Sequence, residues 1–261
     1  MLFDRLESIV LEAGAYAVEV QGRAESALKA DGSFVTSADI EITERLCAFI
    51  GSEFPGAGII TEEDSSFSPS SDSWNFIIDP IDGTGNYRKG LGSWCIGVGV
   101  LDERREPIAS LVYAPSFLCY GKGLLIRTDP GSDIVLVNGV NAHIPCSSGG
   151  RKMEIAAGSS AFRWIRPLLD SATIRSYGSS LLHLSSLIAF PDTDGAIDPP
   201  CYIWDIAPIH AALIRCGMDY RYIDGSVFRY DDSLFLERRK FGIPIAAGRG
   251  SFFARLEEAL G

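Results

Sequence analysis

Carboxylates that could hold a cation gather at three places in this sequence of 261 residues, each beside a short apolar run. Asn75-Phe76-Ile77-Ile78 leads into Asp79-Pro80-Ile81-Asp82-Gly83-Thr84-Gly85-Asn86, and Gly58-Ile59-Ile60-Thr61 leads into Glu62-Glu63-Asp64. The third place is Trp204-Asp205-Ile206-Ala207-Pro208. Pro80 has no N–H for a sheet ladder, so strand pairing is expected to stop at Asp79 and the chain to turn. Such a turn can swing Asp82, and a carbonyl such as that of Ile81, to the side of Asp79. Two close carboxylates repel unless a cation lies between them, and oxygen ligands without His or Cys select Mg²⁺ or Mn²⁺ over zinc. Gly83 lets the backbone approach a ligand closely. A helix starting there would offer free N–H groups to an anion such as phosphate. Taken singly, each residue also has a structural reading. Asp79 can end a strand, Asp82-Gly83 can form a turn, Asp205 can cap a helix, and Glu63 and Asp64 can begin a solvated loop.

The elements that must position these groups follow from hydrophobic spacing. Leu2, Leu6, Ile9, Val10 and Ala13 mark an amphipathic helix, and Lys29 to Ser33 reads as a turn. A second helix starts near Ser37 or Asp39, buries Ile42, Leu46, Phe49 and Ile50, and stops at Gly51. Strands are expected at 58–61, 75–78, 93–101, 108–113 and 117–120, with a Ser/Pro/Asp-rich loop over 64–73. A weakly patterned joint over 129–150 divides the chain into two halves, 1–140 and 141–261, that form one compact unit. The second half carries strands at 154–157, 173–176, 194–198 and 243–247. Its helices are expected over 160–169, 180–190, 204–215 and 252–260. Strands and helices mix throughout, which points to stacked sheet and helix layers of α/β class.

Composition narrows the function. Net charge is −11, and a surface this acidic repels phosphate backbones, which argues against nucleic-acid or anionic-membrane binding. A small anionic substrate would need something positive to bring it in. The six cysteines show no CxxC pattern, so free thiols are expected rather than disulfides or zinc. No run of about 18 apolar residues occurs, and the first turns carry Asp4, Arg5 and Glu7, so neither a membrane span nor a signal peptide is expected. These features together predict a cytoplasmic protein. His143, His183 and His210 read as ordinary hydrogen-bonded histidines, Lys29 as a solvated turn residue, and Arg238-Arg239-Lys240 as a surface turn. Gly97-Val98-Gly99 lacks the third glycine and helix context of a dinucleotide loop.

Taken together, Glu62-Glu63, the string Asp79 to Asn86, and Trp204 to Ala207 resemble the inositol monophosphatase family of the fructose-bisphosphatase-like, lithium-sensitive phosphatases. The three motifs occur in the family's order, and Val35-Thr36-Ser37-Ala38-Asp39 resembles a further family segment. The resemblance extends over most of the chain. It implies a layered αβαβα sandwich and Mg²⁺-dependent hydrolysis of a small phosphate monoester by a metal-activated water. It further implies that Glu62, Asp79 and the Ile81 carbonyl hold one Mg²⁺ and that Asp79, Asp82 and Asp205 hold a second. A weaker third ion would sit near Glu62, and Mn²⁺ could substitute. Thr84, supported by Asp39, would orient or deprotonate the attacking water, and the Gly83 and Thr84 amides would grip the phosphate.

By the same resemblance, Gly178, Ser179 and Ser180 line the substrate, and Lys29 lies where family members can place a lysine near the metals. Asp198 falls where inositol phosphatases often carry a Glu that binds substrate hydroxyls, and the shorter side chain weakens the case for inositol itself. A homodimer and lithium inhibition are family expectations. Histidinol phosphate, fructose 1,6-bisphosphate and adenosine 3′,5′-bisphosphate are alternative substrates. A non-catalytic binding protein on the same scaffold is the rival from another class, and an aspartyl-phosphate phosphatase built on Asp192-Thr193-Asp194 lacks the Thr it would need.

Overall fold

The computed structural model describes residues 2–117, 123–142 and 152–260. Cys119, His143, Cys146 and most of the strand expected over 117–120 lie outside them. Helix α1 (Leu2–Val20) buries Leu6, Val10, Ala13 and Ala17 on one stripe. A hairpin follows, β1 (Ser26–Leu28) against β2 (Phe34–Thr36), and then α2 (Ser37–Glu53). Thr36 caps α2, and Asp39 answers it in a reciprocal capping box. Gly51 does not stop this helix as expected; the chain leaves it at Phe54. One glycine in a last turn costs only about 1 kcal/mol, which the buried Ile42, Leu46 and Ile50 outweigh.

Among the described residues, one sheet has the order β3-β4-β5-β6-β7-β8-β9: β3 (Gly58–Thr61), β4 (Asn75–Asp82), β5 (Cys95–Leu101), β6 (Pro107–Ala114), β7 (Leu124–Thr128), β8 (Leu136–Val137) and β9 (Val140–Asn141). Only β3 and β4 run parallel in it. Pairing does not end at Asp79. It resumes at Asp82 opposite Cys95 after a bulge, which accommodates Pro80 and its missing donor. After β4 comes the short helix α3 (Thr84–Arg88).

The second sheet has the order β11-β10-β12-β14-β13: β10 (Met153–Ala157), β11 (Ala172–Arg175), β12 (Gly195–Asp198), β13 (Asp219–Tyr222) and β14 (Ile245–Gly248). Its helices are α4 (Phe162–Ile165), α5 (Ser180–Ala189), α6 (Ala207–Arg215), α7 (Asp232–Phe235) and α8 (Gly250–Leu260). The single helix expected over 160–169 is instead three short pieces. A 3₁₀ turn runs into α4, and another follows it over Arg166–Leu168, where Pro167 removes a backbone donor.

Period-two alternation sorts the layers. From β4, Phe76 and Ile78 pack with α1 and α2, while Ile77 faces α5 and α6. From the second sheet, Ala156 and Ala196 face α5 and α6, while Ile155 and Ile197 meet α4 and α8. The order is therefore helix, sheet, helix, sheet, helix. Each fully buried Ile or Phe in it contributes about 1.5–3 kcal/mol.

Candidate metal centre and active site

The site forms where β3 and β4 leave their sheet together. Thr61 pairs with Ile78, so Glu62 and Asp79 are the next residues on two parallel neighbours. The bulge carries Ile81 and Asp82 to the same end. Asp205 arrives from the other half of the chain, on a 3₁₀ turn (Ile203–Asp205) that contacts β4 and β5 just ahead of α6. Gly97 and Gly99 of β5 explain its closeness: a Cβ on Gly99 would lie 2.4 Å from the Ala207 carbonyl, and one on Gly97 would meet Leu181 and Pro208. The Gly-Val-Gly string is thus a seat for the start of α6.

Carboxylate oxygens of Asp79, Asp82 and Asp205 all lie within 4.8 Å of one another. They line a cavity of about 250 Å³ together with Ser33, Phe34, Glu62, Ile81, Gly83, Thr84 and Gly85. Asp79 Oδ1 is buried and has no hydrogen-bond partner among the described residues. Asp82 is anchored on one side only, its Oδ2 accepting from Ser179 Oγ at 2.7 Å and the Leu181 N–H at 2.6 Å. Asp205 Oδ2 accepts from the Tyr202 N–H at 2.7 Å.

Burial, reinforced by the charges of Glu62, Asp82 and Asp205, drives the Asp79 carboxyl far above its ordinary range. Burial, then the Asp82 charge, does the same to Asp205. Asp82 is pushed up to about 6 by burial, held in check by the Ser179 hydrogen bond. An anion cluster this crowded ionises readily only around a cation. An orphaned buried oxygen and an all-oxygen donor set fit a hard divalent ion such as Mg²⁺.

Beside the cluster, Gly83 begins α3 at φ +94°, where a side chain would be strained and its Cβ would lie 3.0 Å from the Ser93 carbonyl. Thr84 Oγ1 donates to the Ile81 carbonyl at 2.9 Å and lies 3.4 Å from Asp39 Oδ1. Asp39 is fully buried, and its other oxygen accepts from the Thr36 N–H at 2.7 Å. Burial raises its carboxyl to about 6.

Several side chains sit differently from the sequence expectation. Glu63 is not a solvated loop residue, and of the two readings of Lys29 the structure takes the one beside the acidic cluster. Lys29 Nζ lies 2.7 Å from Glu62 Oε1 and 2.6 Å from Glu63 Oε1. Burial and the Glu62 charge raise Glu63 to about 7 against that bond. Burial would lower the Lys29 ammonium, but the Glu62 and Glu63 carboxylates hold it above its usual value. Ser33 and Phe34 also join the cavity wall from the β1–β2 hairpin, whose strands are too short to show a period. Arg238, read as part of a surface turn, reaches inward to donate to the Asp64 and Phe67 carbonyls.

Gly178, Ser179, Ser180 and Asp198 are not in the cavity wall. Ser179 turns to Asp82, and Asp198 is 1% exposed with Oδ1 2.7 Å from His183 Nδ1. No helix among the described residues is long and apolar enough to cross a membrane.

A helix–sheet–helix–sheet–helix sandwich with carboxylates converging from both halves defines a class, the layered metal-dependent phosphatases. Residues 7–247 match the inositol monophosphatase family, and the chain belongs to it. The histidinol-phosphatase of Mycobacterium tuberculosis is 27% identical over 213 residues, spanning 76% of this chain and 77% of that one. The fold superposes on a staphylococcal inositol monophosphatase-1 crystallised in a lithium-soaked inhibitory complex, with a TM-score of 0.82 at 20% identity, covering 100% of this chain and 96% of that one. It also superposes on an inositol monophosphatase/NADP phosphatase complexed with Mg²⁺ and phosphate, at a TM-score of 0.80 and 20% identity over 97% and 92% of the two chains. Family and site together support a metal-dependent phosphoric monoester hydrolase.

Proposed function

We propose that this protein hydrolyses the phosphate monoester of a small polyol, inositol-like or sugar-like, in a Mg²⁺-dependent reaction. The observation that carries this is the convergence of Asp79, Asp82 and Asp205 within 4.8 Å beside Thr84, with Asp79 Oδ1 unpartnered. In this reading Glu62, Asp79, the Ile81 carbonyl, Asp82 and Asp205 hold two Mg²⁺ ions, with room for a weaker third at Glu62. Bound there, divalent ions supply charge neutralisation for the phosphate and a lowered pKa for the attacking water. Thr84 Oγ1 turns from the Ile81 carbonyl to Asp39, accepting a proton from water as it donates its own. Asp39, anchored by Thr36, receives that proton. The backbone N–H groups of Gly83 and Thr84, at the start of α3, would grip the phosphate.

The similarity to a histidinol-phosphatase motivates histidinol phosphate as a second substrate. The two chain halves, 1–140 and 141–261, act as one unit here, in a cytoplasmic homodimer open to lithium inhibition. The deciding experiment is a phosphatase panel of inositol phosphate, histidinol phosphate, fructose bisphosphate and adenosine bisphosphate, with Mg²⁺ and with chelator. Metal-dependent phosphate release from at least one monoester is expected. No release from any, together with tight capture of one of them, would favour the non-catalytic rival.

A further inference from the structure

His183 is buried in α5, away from the cavity, and both ring nitrogens are engaged. Nδ1 lies 2.7 Å from Asp198 Oδ1, and Nε2 accepts the Tyr177 N–H at 2.9 Å. A ring nitrogen that accepts an N–H carries no proton, so the ring proton sits on Nδ1 and is donated to Asp198. The Tyr177 carbonyl is held from the opposite side by Asn86 Nδ2 at 2.7 Å, and that amide also donates to the Ser93 carbonyl at 2.8 Å. The turn is therefore pinned at Tyr177 by one side chain from α5 and one from α3. The Tyr177 ring stacks on the imidazole, with centroids 5.7 Å apart. Ser179 Oγ and the Leu181 N–H follow immediately, and both grip Asp82 Oδ2.

We propose that His183, oriented by Asp198, is a positioning residue for Asp82. It fixes the 177–181 turn so that Ser179 and Leu181 hold one Asp82 oxygen and leave the other for a metal ion. This rests on the reading of Asp82 as a metal ligand. It also gives Asp198 an inward task in place of contact with substrate hydroxyls. Its Oδ2 is buried without a partner among the described residues, and its Oδ1 is met by His183 Nδ1 at 2.7 Å.

Two substitutions separate the bonds. In His183→Asn, the side-chain amide can replace Nδ1 as the donor to Asp198 but cannot reach Tyr177. In His183→Gln, the side-chain carbonyl can replace Nε2 as the acceptor for Tyr177. Mg²⁺ affinity is measured by calorimetry without substrate, alongside kcat, KM and melting temperature in chelator. Affinity is expected to fall about ten- to a hundredfold in His183→Asn, the usual range for a lost outer-shell partner. His183→Gln should recover most of it, and kcat at a fixed subsaturating Mg²⁺ concentration should track affinity while KM changes little.

With three histidines in the chain, ¹⁵N spectroscopy can assign the His183 ring. A ring protonated on Nδ1 alone is expected, and an Nε2–H tautomer overturns the proposal. Wild-type Mg²⁺ affinity in His183→Asn, with only its melting temperature lowered, also overturns it and reduces His183 to a packing residue. If the wild type hydrolyses no ester yet the affinity difference stands, the hydrolase reading fails and the positioning role survives. If the wild type binds no Mg²⁺, both fall.

Discussion

At the scale of single residues, Asp79 is the sharpest case. Its carboxyl is buried, orphaned at Oδ1, and surrounded by the charges of Glu62, Asp82 and Asp205. Asp79→Asn removes one of the repelling charges, so the chelated variant is expected to melt at or above the wild-type temperature. Hydrolysis should nonetheless fall by roughly a hundredfold or more, since losing even an outer-shell partner of a metal ligand costs about 10–100-fold. Calorimetric melting in chelator and a phosphate-release assay check the two halves separately. A variant that unfolds while keeping activity per folded molecule would refute the assignment. Asp79, Ile81 and Asp82 were legible in the sequence because their grouping is local, within one strand end. The nearness of Lys29 to Glu62 and Glu63 was legible only through the resemblance, because a turn lysine and a distant glutamate meet only through tertiary packing. His183 was equally opaque: its histidine character was plain, but its partners come from a turn and a separate strand.

At the scale of elements, the capping box at the start of α2 joins stability to chemistry. The Thr36 hydroxyl accepts the Asp39 N–H and donates to Asp39 Oδ2, the same carboxylate whose other oxygen faces Thr84. Thr36→Ala should cost about 1 kcal/mol, the usual loss of an N-cap side chain. For a chain of this size that lowers the melting temperature by about 2–4 °C. It should also lower kcat with little change in KM, because the proposed proton acceptor loses its anchor while the proposed phosphate seat at Gly83 is untouched. Thr36→Ser should restore both, and failure of that rescue for kcat alone would separate Asp39 from the reaction. Hydrophobic periodicity predicted α1, α2, α5 and β3 to β6 within a few residues, because each presents a strong apolar face. The same reasoning failed where a backbone feature overrode it. Pairing in β4 continued through a bulge past Pro80, and the stretch at 159–168 broke up around Pro167. Asp205 fell on a 3₁₀ turn before the α-helix rather than in its first turn.

At the scale of the whole molecule, the layered fold stabilises an arrangement that its own charges oppose, and pH should reveal the balance. Glu63 is raised to about 7 and Asp39 and Asp82 to about 6, each chiefly by burial, while Asp79 and Asp205 move further the same way. Groups raised in the folded state bind more protons folded than unfolded, so by linkage they favour folding as pH falls. For Glu63, Asp39 and Asp82 the destabilisation is complete above about pH 7 and disappears as the carboxyls protonate on the way down to about pH 4, while Asp79 and Asp205 extend it to higher pH. For Asp39 alone the displacement corresponds to roughly 3 kcal/mol. Carboxylates held low by Ser hydrogen bonds, such as Asp31, Asp64 and Asp224, act oppositely, but only below their ordinary values and hence in a more acidic window. The metal-free protein is therefore expected to melt at a higher temperature near pH 5 than near pH 7.5. Saturating Mg²⁺ should remove or invert that difference, because the ion binds the ionised cluster and competes with protons for it. Scanning calorimetry at the two pH values, in chelator and in Mg²⁺, tests the point. A chelated protein that loses stability steadily between those values as acid is added would show that the buried carboxylates do not govern this balance.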